Sequence, residues 1–228
     1  MNIVDPYARL LMINGNLPSP QSGIDALRYI EWCGRISHRS EEAQTDGSWE
    51  RFIRAVVLGH GDWSIVEHAT ASVDMLVDRG VTHEIVRHRL FSFTQESTRF
   101  VNYEKKMPPS FIQPVFGAAD TAWTEAAEME WRESVDRSER AYRVLLGNGC
   151  APQIARSVFP NALASRIIIT GNLRNWRHFF IMRTSREAHP QMRQVVIPLL
   201  SEFKEKIPII YEDIEPMAKQ SEAIKAAR

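Results

Sequence analysis

The chain has 228 residues, of which 44% are hydrophobic and 25% charged, proportions that are ordinary for a soluble globular protein. Its 28 basic and 28 acidic residues give a net charge of zero, whereas proteins that bind the nucleic-acid backbone usually carry a basic excess. Two cysteines are too few for a disulfide scaffold and no segment resembles a membrane span, so we expect a cytoplasmic protein that binds neither nucleic acid nor a membrane.

The beginning of the chain predicts an irregular arm followed by two helices. Residues 1–22 hold four prolines or glycines among short apolar pieces, a composition typical of an arm. Apolar residues at helical spacing then predict helices over residues 23–36 and 49–58. Gly59 and Gly61 end the second of these helices.

A strand and a third helix are predicted next. Residues 69–77 alternate in the manner of a strand, and Asp78-Arg79-Gly80 ends it. Helical spacing resumes over residues 81–89. This helix is therefore predicted to carry, on its final turns, the start of a polar segment that runs from Arg87 to Phe100.

The second half of the chain predicts mainly helices. Three prolines in residues 107–118 indicate a loop, and a long amphipathic helix is predicted from an Asp120 N-cap to the Gly147-Asn148-Gly149 stop. The remaining predicted elements are a short helix over 151–158, a buried strand over 163–170, a helix capped by Asn172 that runs to Arg183, and a helix over 191–206. We expect one α+β domain over residues 1–228, with a tail from about residue 213.

The Arg87–Phe100 segment concentrates groups that bind phosphates and rings. It contains three arginines, a histidine, two serines and an amide, with aromatic residues among them. Arginine offers a rigid fork of donors to phosphate oxygens, while hydroxyl and amide groups recognise sugars and bases. The segment therefore predicts a site for a phosphorylated, ring-bearing small molecule.

Local geometry refines this expectation. Glu84 is predicted to share a helix face with Arg87 and His88, since residues three and four apart are neighbours on a helix. Ser97 and Arg99 are predicted to lie on one side of extended backbone. Phe91, Phe93 and Phe100 are predicted to anchor the segment in the core.

Further arginines lie downstream. Arg156 is on the predicted short helix, and Arg174 and Arg177 are on the predicted helix that Arg183 ends. We expect Arg177 to belong to a solvated face. Arg183 follows an apolar run, so it should be semi-buried and require an anionic partner, which either the protein or a ligand could supply.

Two other kinds of site are less well supported. A metal site would draw on plentiful ligands, namely His60, Asp62, Glu67, His68, His83, Glu84 and His88. However, His83 and His88 are five residues apart, whereas a helical zinc pair needs four. A nucleophilic site would need an activating base, and none accompanies Cys33, Cys150 or Ser97 in the sequence.

Arg87-His88-Arg89, followed after seven residues by Ser97 and then by Arg99, resembles the signature of flavin-dependent thymidylate synthases. Other segments match that family in order and spacing: Cys33–Ser37, Ser64–His68, Ala155-Arg156 before Pro160, Asn172–Arg174, and Arg183 ahead of Ala188. The resemblance covers about residues 25–212.

The resemblance implies reductive methylation of dUMP to dTMP. In that reaction 5,10-methylenetetrahydrofolate gives the carbon, FAD carries the hydride and NADPH reduces the flavin. It also implies a small antiparallel sheet flanked by helices, and a homotetramer whose active sites are formed between subunits. Because this family needs no enzyme nucleophile, the resemblance agrees with the lack of an activated cysteine.

Site residues follow from the resemblance position by position. The FAD-binding positions are Ser37, Ser64, Glu67, Arg87, His88, Arg89, Gln95, Asn172, Leu173, Arg174 and His178. The dUMP-binding positions are Glu84, Arg87, Gln95, Glu96, Ser97, Thr98, Arg99, Arg156 and Arg183. Arg183 corresponds to the activating, catalytic residue at the uracil ring, and no metal is expected.

The chain departs from the family pattern at several positions. Asp62 stands where many members have histidine, Gln95 where some have glutamate, Phe100 where tyrosine is usual, and His178 where asparagine is frequent. Two alternatives therefore stay open: a nucleotide-binding protein without turnover and a metal-dependent phosphohydrolase. The retained Arg183 argues against the first, and the histidine spacing argues against the second.

Overall fold

The computed structural model describes residues 1–104, 107–115 and 124–218. The helices are α1 (Pro20–Ile36), α2 (Ser48–Phe52), α3 (Arg79–Ile85), α4 (Glu125–Gly147), α5 (Pro152–Ala155), α6 (Leu173–Arg183) and α7 (Pro190–Lys206). The strands are β1 (Asn2–Ile3), β2 (Tyr7–Ile13), β3 (Thr70–Asp78), β4 (Ser92–Gln95), β5 (Ser110–Phe111) and β6 (Ala164–Asn172). Over these described ranges, no helix combines the length and apolar character that crossing a membrane requires.

The main sheet has four strands in the order β2-β3-β6-β4. Backbone bonds join the end of one strand to the start of its neighbour: Asn14 N–H donates to Thr70, Leu173 N–H to Ala69, and Glu96 N–H to Arg166. Such end-to-start pairing is antiparallel. A separate pair, β1 and β5, runs parallel. The predicted α+β class with a small antiparallel sheet flanked by helices is confirmed.

The chain forms two compact units. The first unit comprises the described residues of Met1–Tyr7, Met75–Arg87 and Thr94–Ile167, and the second comprises those of Ala8–Asp74, His88–Phe93 and Ile168–Arg228. Each unit has its own buried centre.

The first unit packs around α4. Tyr103, Phe111, Val135, Tyr142 and Leu163 form its buried cluster. Thr124 caps α4 by accepting a hydrogen bond from Ala127 N–H. The predicted cap, Asp120, lies outside the described residues.

The second unit has an aromatic centre. Trp176, Phe180, Phe203 and Tyr211 are all fully buried, with neighbouring ring centroids 4.9–5.8 Å apart. Trp176 also donates its indole N–H to the carbonyl of Ala71 at 3.0 Å. The packed rings and this hydrogen bond fix the position of α6, the helix that carries several candidate site residues.

One glycine of this unit is needed for close packing. A Cβ added at Gly171 would lie 2.4 Å from Cδ1 of Phe91, which is closer than real side chains approach. Phe91 is 9% exposed and packs edge-on against Trp176, with ring centroids 4.8 Å apart. The missing side chain at 171 therefore makes room for the ring that anchors the polar segment.

Several predicted boundaries were wrong. Residues 1–22 do not form an arm throughout, because β2 is an edge strand of the main sheet and α1 already begins at Pro20. The 107–118 loop contains β5 in its described part, and residues 116–118 lie outside the described residues. The helix predicted over 49–58 is α2 followed by a π-helix at Ile53–Gly59. The predicted tail is described only as far as residue 218.

Candidate active site

The Arg87–Phe100 segment begins after a helix and not on one. The helix predicted over 81–89 was wrong at its end, because α3 stops at Ile85. Arg87 N–H donates to the carbonyl of Glu84, three residues earlier, at 3.3 Å. Hydrogen bonds over three residues are frequent at the ends of α-helices. His88 is therefore not on a helix face with Glu84, and Arg87 and Arg89 are exposed.

In the second unit, His88 and Arg183 form a direct hydrogen bond. Arg183 Nε–H donates to His88 Nε2 at 2.9 Å. His88 therefore accepts as a neutral imidazole with its proton on Nδ1, because a ring nitrogen that accepts carries no proton. Its ring also lies edge-on to Phe179, at 5.0 Å, and to His178, at 6.0 Å, between ring centroids. Arg183 is thus half-buried, and its partner in this bond is a neutral imidazole. The bond does not settle whether the protein or a ligand supplies the expected anion.

The surroundings favour the neutral form of His88. Burial, and then the positive charge of Arg183 and the neighbouring His178, lower the pKa of His88 to about 4. Burial and Arg183 also lower the pKa of His178. Two imidazoles beside a permanent cation are thereby kept uncharged at neutral pH.

We expect His88 to make the free energy of unfolding depend on pH in acid. Its folded pKa lies below the unfolded value, so the unfolded chain binds the extra proton first, and stability is lost as pH falls from about 6.5 to about 4. The loss should be about 1–2 kcal/mol after allowance for screening at this partly exposed group. Urea titrations between pH 4 and 7 measure it, and His88→Gln should flatten the curve.

The matched control is His83→Gln, which removes an exposed imidazole outside this cluster. Equal flattening in the two variants would contradict the assignment to His88.

Four of the other predicted FAD positions of the second unit lie at the start of α6 or bond a residue there. Asn172 caps α6 by accepting from Asn175 N–H, as predicted. Arg174 bonds Glu67 at 2.6 Å, so two predicted positions are brought together. Leu173 is fully buried, and its N–H and carbonyl are bonded to Ala69 and Tyr211. Ser37 follows α1 and Ser64 lies on a short 3-10 helix, both exposed.

A cavity of about 160 Å³ adjoins Arg174, and three of its five lining residues were not predicted as site residues. It is lined by Trp63, Arg174, Arg177, His178 and Ile181. The expectation that Arg177 is solvated was wrong: it is 5% exposed, paired with Asp213, and lies over the Trp63 ring at 4.5 Å. The only sequence signal for this side of the cavity was Trp63, an aromatic residue two positions after Gly61.

In the first unit, three of the predicted dUMP positions, Thr98, Arg99 and Arg156, lie at α5. Arg156 donates to Thr98 Oγ1 at 2.9 Å, and Arg99 donates to Gln153 at 3.0 Å. Ser97 and Arg99 do not lie on extended backbone, because Phe100 N–H closes a turn on the Ser97 carbonyl. Phe100 is 74% exposed, so the prediction that it anchors the segment was also wrong.

Glu96 in this unit is held by a tyrosine that the sequence did not single out. Tyr103 donates its hydroxyl to Glu96 Oε1 at 2.8 Å. Burial, and then the nearby carboxylate, raise the pKa of Tyr103 far above its ordinary value. The hydroxyl therefore stays protonated and keeps Glu96 in place.

A polar cavity of about 240 Å³ lies beside these residues. Its lining includes Arg79, Thr98, Arg156, Ser157 and Asn161. Arg79 Nη1 is buried and has no hydrogen-bond partner among the described residues. A buried donor without a partner is costly, so it marks a place where a ligand acceptor would be stabilised. From the sequence, Arg79 was predicted only to help end the strand over residues 69–77.

The structure thus divides the predicted residues. Apart from Arg87 and Gln95, the FAD positions lie in the second unit; apart from Arg183, the dUMP positions lie in the first. Within the described ranges, no three histidine, cysteine, aspartate or glutamate side chains are close enough to hold a metal ion. That observation gives the metal-dependent phosphohydrolase no support.

Comparisons with known proteins agree on one family. The sequence model of a family described as "Thymidylate synthase complementing protein" matches residues 22–209. The chain is 33% identical over 199 residues to a flavin-dependent thymidylate synthase of Corynebacterium aurimucosum, covering 81% of this chain and 78% of that protein. It is 35% identical over 214 residues to the protein of the same name from Mycobacterium sp. (strain JLS), covering 85% and 82%.

Proposed function

This chain belongs to the flavin-dependent thymidylate synthase family, and we propose that it converts dUMP to dTMP by reductive methylation, with methylenetetrahydrofolate as carbon donor, FAD as hydride carrier and NADPH as reductant. The observation that carries the proposal is the Arg183–His88 bond of 2.9 Å, which fixes a permanent cation next to uncharged imidazoles. The presence of Arg183 argues against a binding protein without turnover, and the five-residue spacing of His83 and His88 argues against a metal-dependent phosphohydrolase.

The residues of the second unit have the chemistry to hold FAD. The group needs cations for its diphosphate, polar groups for its ribityl chain and space for a ring. Arg89 and Arg174 supply charge, Ser64 supplies a hydroxyl, and the cavity beside Trp63 and His178 supplies an aromatic wall. When bound, FAD would supply the hydride. The residues of the second unit would bind FAD and keep positive charge near it.

The residues of the first unit fit the phosphate of dUMP. Arg79 and Arg156 both line the polar cavity, and Thr98 adds a hydroxyl. Two guanidiniums with a buried, unpartnered N–H are suited to a phosphate dianion, because charge-assisted bonds to phosphate are strong. We assign the phosphate to this cavity, with Ser97 and Arg99 on the adjoining turn as further donors.

Arg183 acts on the uracil ring by charge and not by proton transfer. A guanidinium keeps its proton throughout, so it cannot serve as a base. Its fixed charge favours electron density on the N3–O4 side of the pyrimidine as C5 becomes nucleophilic. His88, as a neutral acceptor, holds the Nε end of the guanidinium and adds no negative charge of its own.

We propose a homotetramer in the cytoplasm, with active sites formed between subunits. An exposed apolar face on α1 supports association, since Tyr29, Trp32 and Ile36 lie on one side of that helix. The Tyr29 and Trp32 rings stack with centroids 6.2 Å apart. The low cysteine count supports a reducing compartment.

The test is turnover by the purified protein. We expect a yellow preparation whose flavin absorbance is bleached by NADPH without oxygen, and dTMP formation from dUMP and methylenetetrahydrofolate. Protein that binds dUMP but makes no dTMP with every reactant present would favour the binding protein. Nucleotide hydrolysis that depends on added metal would favour the phosphohydrolase.

A further inference from the structure

Arg177, on α6, is fixed by two residues of the segment that follows α7. Its Nη1 donates to Asp213 Oδ1 at 2.6 Å and to the carbonyl of Ile210 at 2.7 Å, and its Nη2 donates to Asp213 Oδ2 at 2.5 Å. Two parallel bonds between a guanidinium and a carboxylate set the orientation of both groups. Arg177 is 5% exposed, so its guanidinium is held at one angle inside the second unit.

This fixed guanidinium covers one face of the Trp63 ring. Cζ of Arg177 lies over the indole, 4.5 Å from the ring centroid. A planar guanidinium stacks on an aromatic face and is attracted by the electron density there. Asp213 therefore fixes Arg177, and Arg177 in turn fixes the plane of the Trp63 indole.

Positioning explains this ion pair better than stability does. Removing two charges from water offsets much of their attraction, so well-packed apolar residues often stabilise a buried position equally well. An apolar side chain at 177 would not require a carboxylate 36 residues later. It would also lack the flat cation that sets the plane of the indole.

Trp63 faces the cavity that the second unit offers to FAD. It lines that cavity together with Arg174, His178 and Ile181, and it is half-buried, so part of its ring surface is open. Flat rings stack on open aromatic surfaces. The guanidinium of Arg174 suits the diphosphate to which both rings of FAD are connected.

We infer that Trp63 stacks on one of the two flat rings of FAD, and that Arg177 and Asp213 are positioning residues that hold the indole in place for it. This inference rests on the proposed binding of FAD by the second unit. The isoalloxazine and the adenine offer the same stacking chemistry, and FMN, which lacks the adenine, distinguishes them.

The experiment measures equilibrium binding of FAD and FMN to protein from which flavin has been removed. Trp63→Leu keeps an apolar side chain but loses the ring, and it should bind FAD at least about tenfold more weakly than wild type. Trp63→Phe should keep most of the affinity, because it still offers a flat ring. The control is Trp49→Leu, at a half-buried tryptophan of the same unit outside the cavity lining, which should bind FAD as wild type does.

The effect of Trp63→Leu on FMN identifies the ring. Equal weakening of FMN and FAD assigns the indole to the isoalloxazine, whereas weakening of FAD alone assigns it to the adenine. Either result supports stacking.

A double-mutant cycle tests the positioning role. Asp213→Ala should weaken FAD binding several-fold when Trp63 is present and add little in Trp63→Leu, because the ring that it positions is gone. A merely structural role would weaken binding equally in both backgrounds. Glu215→Ala, at an exposed carboxylate two residues later, is the control and should change neither value.

A second variant serves the cycle where Asp213→Ala does not fold. Arg177→Met combined with Asp213→Asn removes both charges together, so no unpaired charge stays buried. It should fold with a melting temperature close to that of wild type, and still weaken FAD binding only when Trp63 is present.

Three results would overturn the inference. The first is FAD binding by Trp63→Leu at the wild-type affinity, and the second is failure of Trp63→Phe to bind FAD better than Trp63→Leu. The third is an effect of the Asp213 variants that is absent, or equal with and without Trp63. Wild-type protein that binds neither FAD nor FMN would overturn the proposed function, and this inference with it.

Discussion

Replacing Arg183 with alanine should lower dTMP formation by about 100- to 1,000-fold, the usual effect of removing one group that stabilises charge in a transition state. FAD should remain bound, because the second unit retains the other residues assigned to it. The measurements are kcat for dTMP, release of tritium from C5 of labelled dUMP, and flavin absorbance of the purified variant. Arg183→Lys should recover only part of the rate, because lysine lacks the Nε–H that bonds His88.

The matched control is Arg186→Ala, an exposed arginine just beyond α6. It should leave both turnover and FAD content unchanged. Turnover of Arg183→Ala at the wild-type rate would refute the electrostatic role. Equal losses in the two variants would trace the effect to the end of α6 as a whole.

Replacing Arg79 with methionine should raise the KM for dUMP by about 10- to 100-fold, as expected for a lost hydrogen bond between charged groups. The same change removes a buried N–H that lacks a protein partner, so the melting temperature should stay level or rise. Opposite effects on binding and stability are characteristic of a residue retained for a ligand. The measurements are steady-state kinetics and thermal unfolding without ligand.

A comparison of dUMP with deoxyuridine, which has no phosphate, tests whether Arg79 binds the phosphate group. Wild type should prefer dUMP to deoxyuridine strongly, and Arg79→Met should reduce that preference. Arg137→Met, at an exposed position on α4, is the control and should change neither value. A preference that stays at the wild-type level in Arg79→Met would remove Arg79 from the phosphate site.

The elements predicted best are those whose own residues carry enough signal to identify them. Strands β3 and β6 have β-branched or alternating runs, and α6 begins at an asparagine whose side chain caps it. Each of these signals acts within a few residues, so it can be recognised without the rest of the fold. The signature from Arg87 to Arg99 could be recognised for a similar reason, since its spacing is local, while the roles assigned to its residues stay predictions.

The wrong or missing predictions concern residues whose environment is set by distant parts of the chain. Arg177 was predicted to be solvated, but Asp213, 36 residues later, pairs with it. The end of α3 was placed too late because Val86–Arg89 keeps helical spacing, while the fold needs Phe91 in the core. Arg79 was missed because its role depends on Thr98 and Arg156, which only the fold brings to the same cavity.

The close approach of Phe91 to Gly171 has a consequence for how this sequence can vary. Phe91 comes three residues after His88, and its ring occupies the space that any side chain at 171 would need. A larger residue at 171 would shift that ring and, through the short connection, the imidazole that holds Arg183. The two positions should therefore change together: alanine at 171 would be accepted only alongside a smaller residue at 91. A position outside the predicted FAD and dUMP positions is in this way restricted by packing alone.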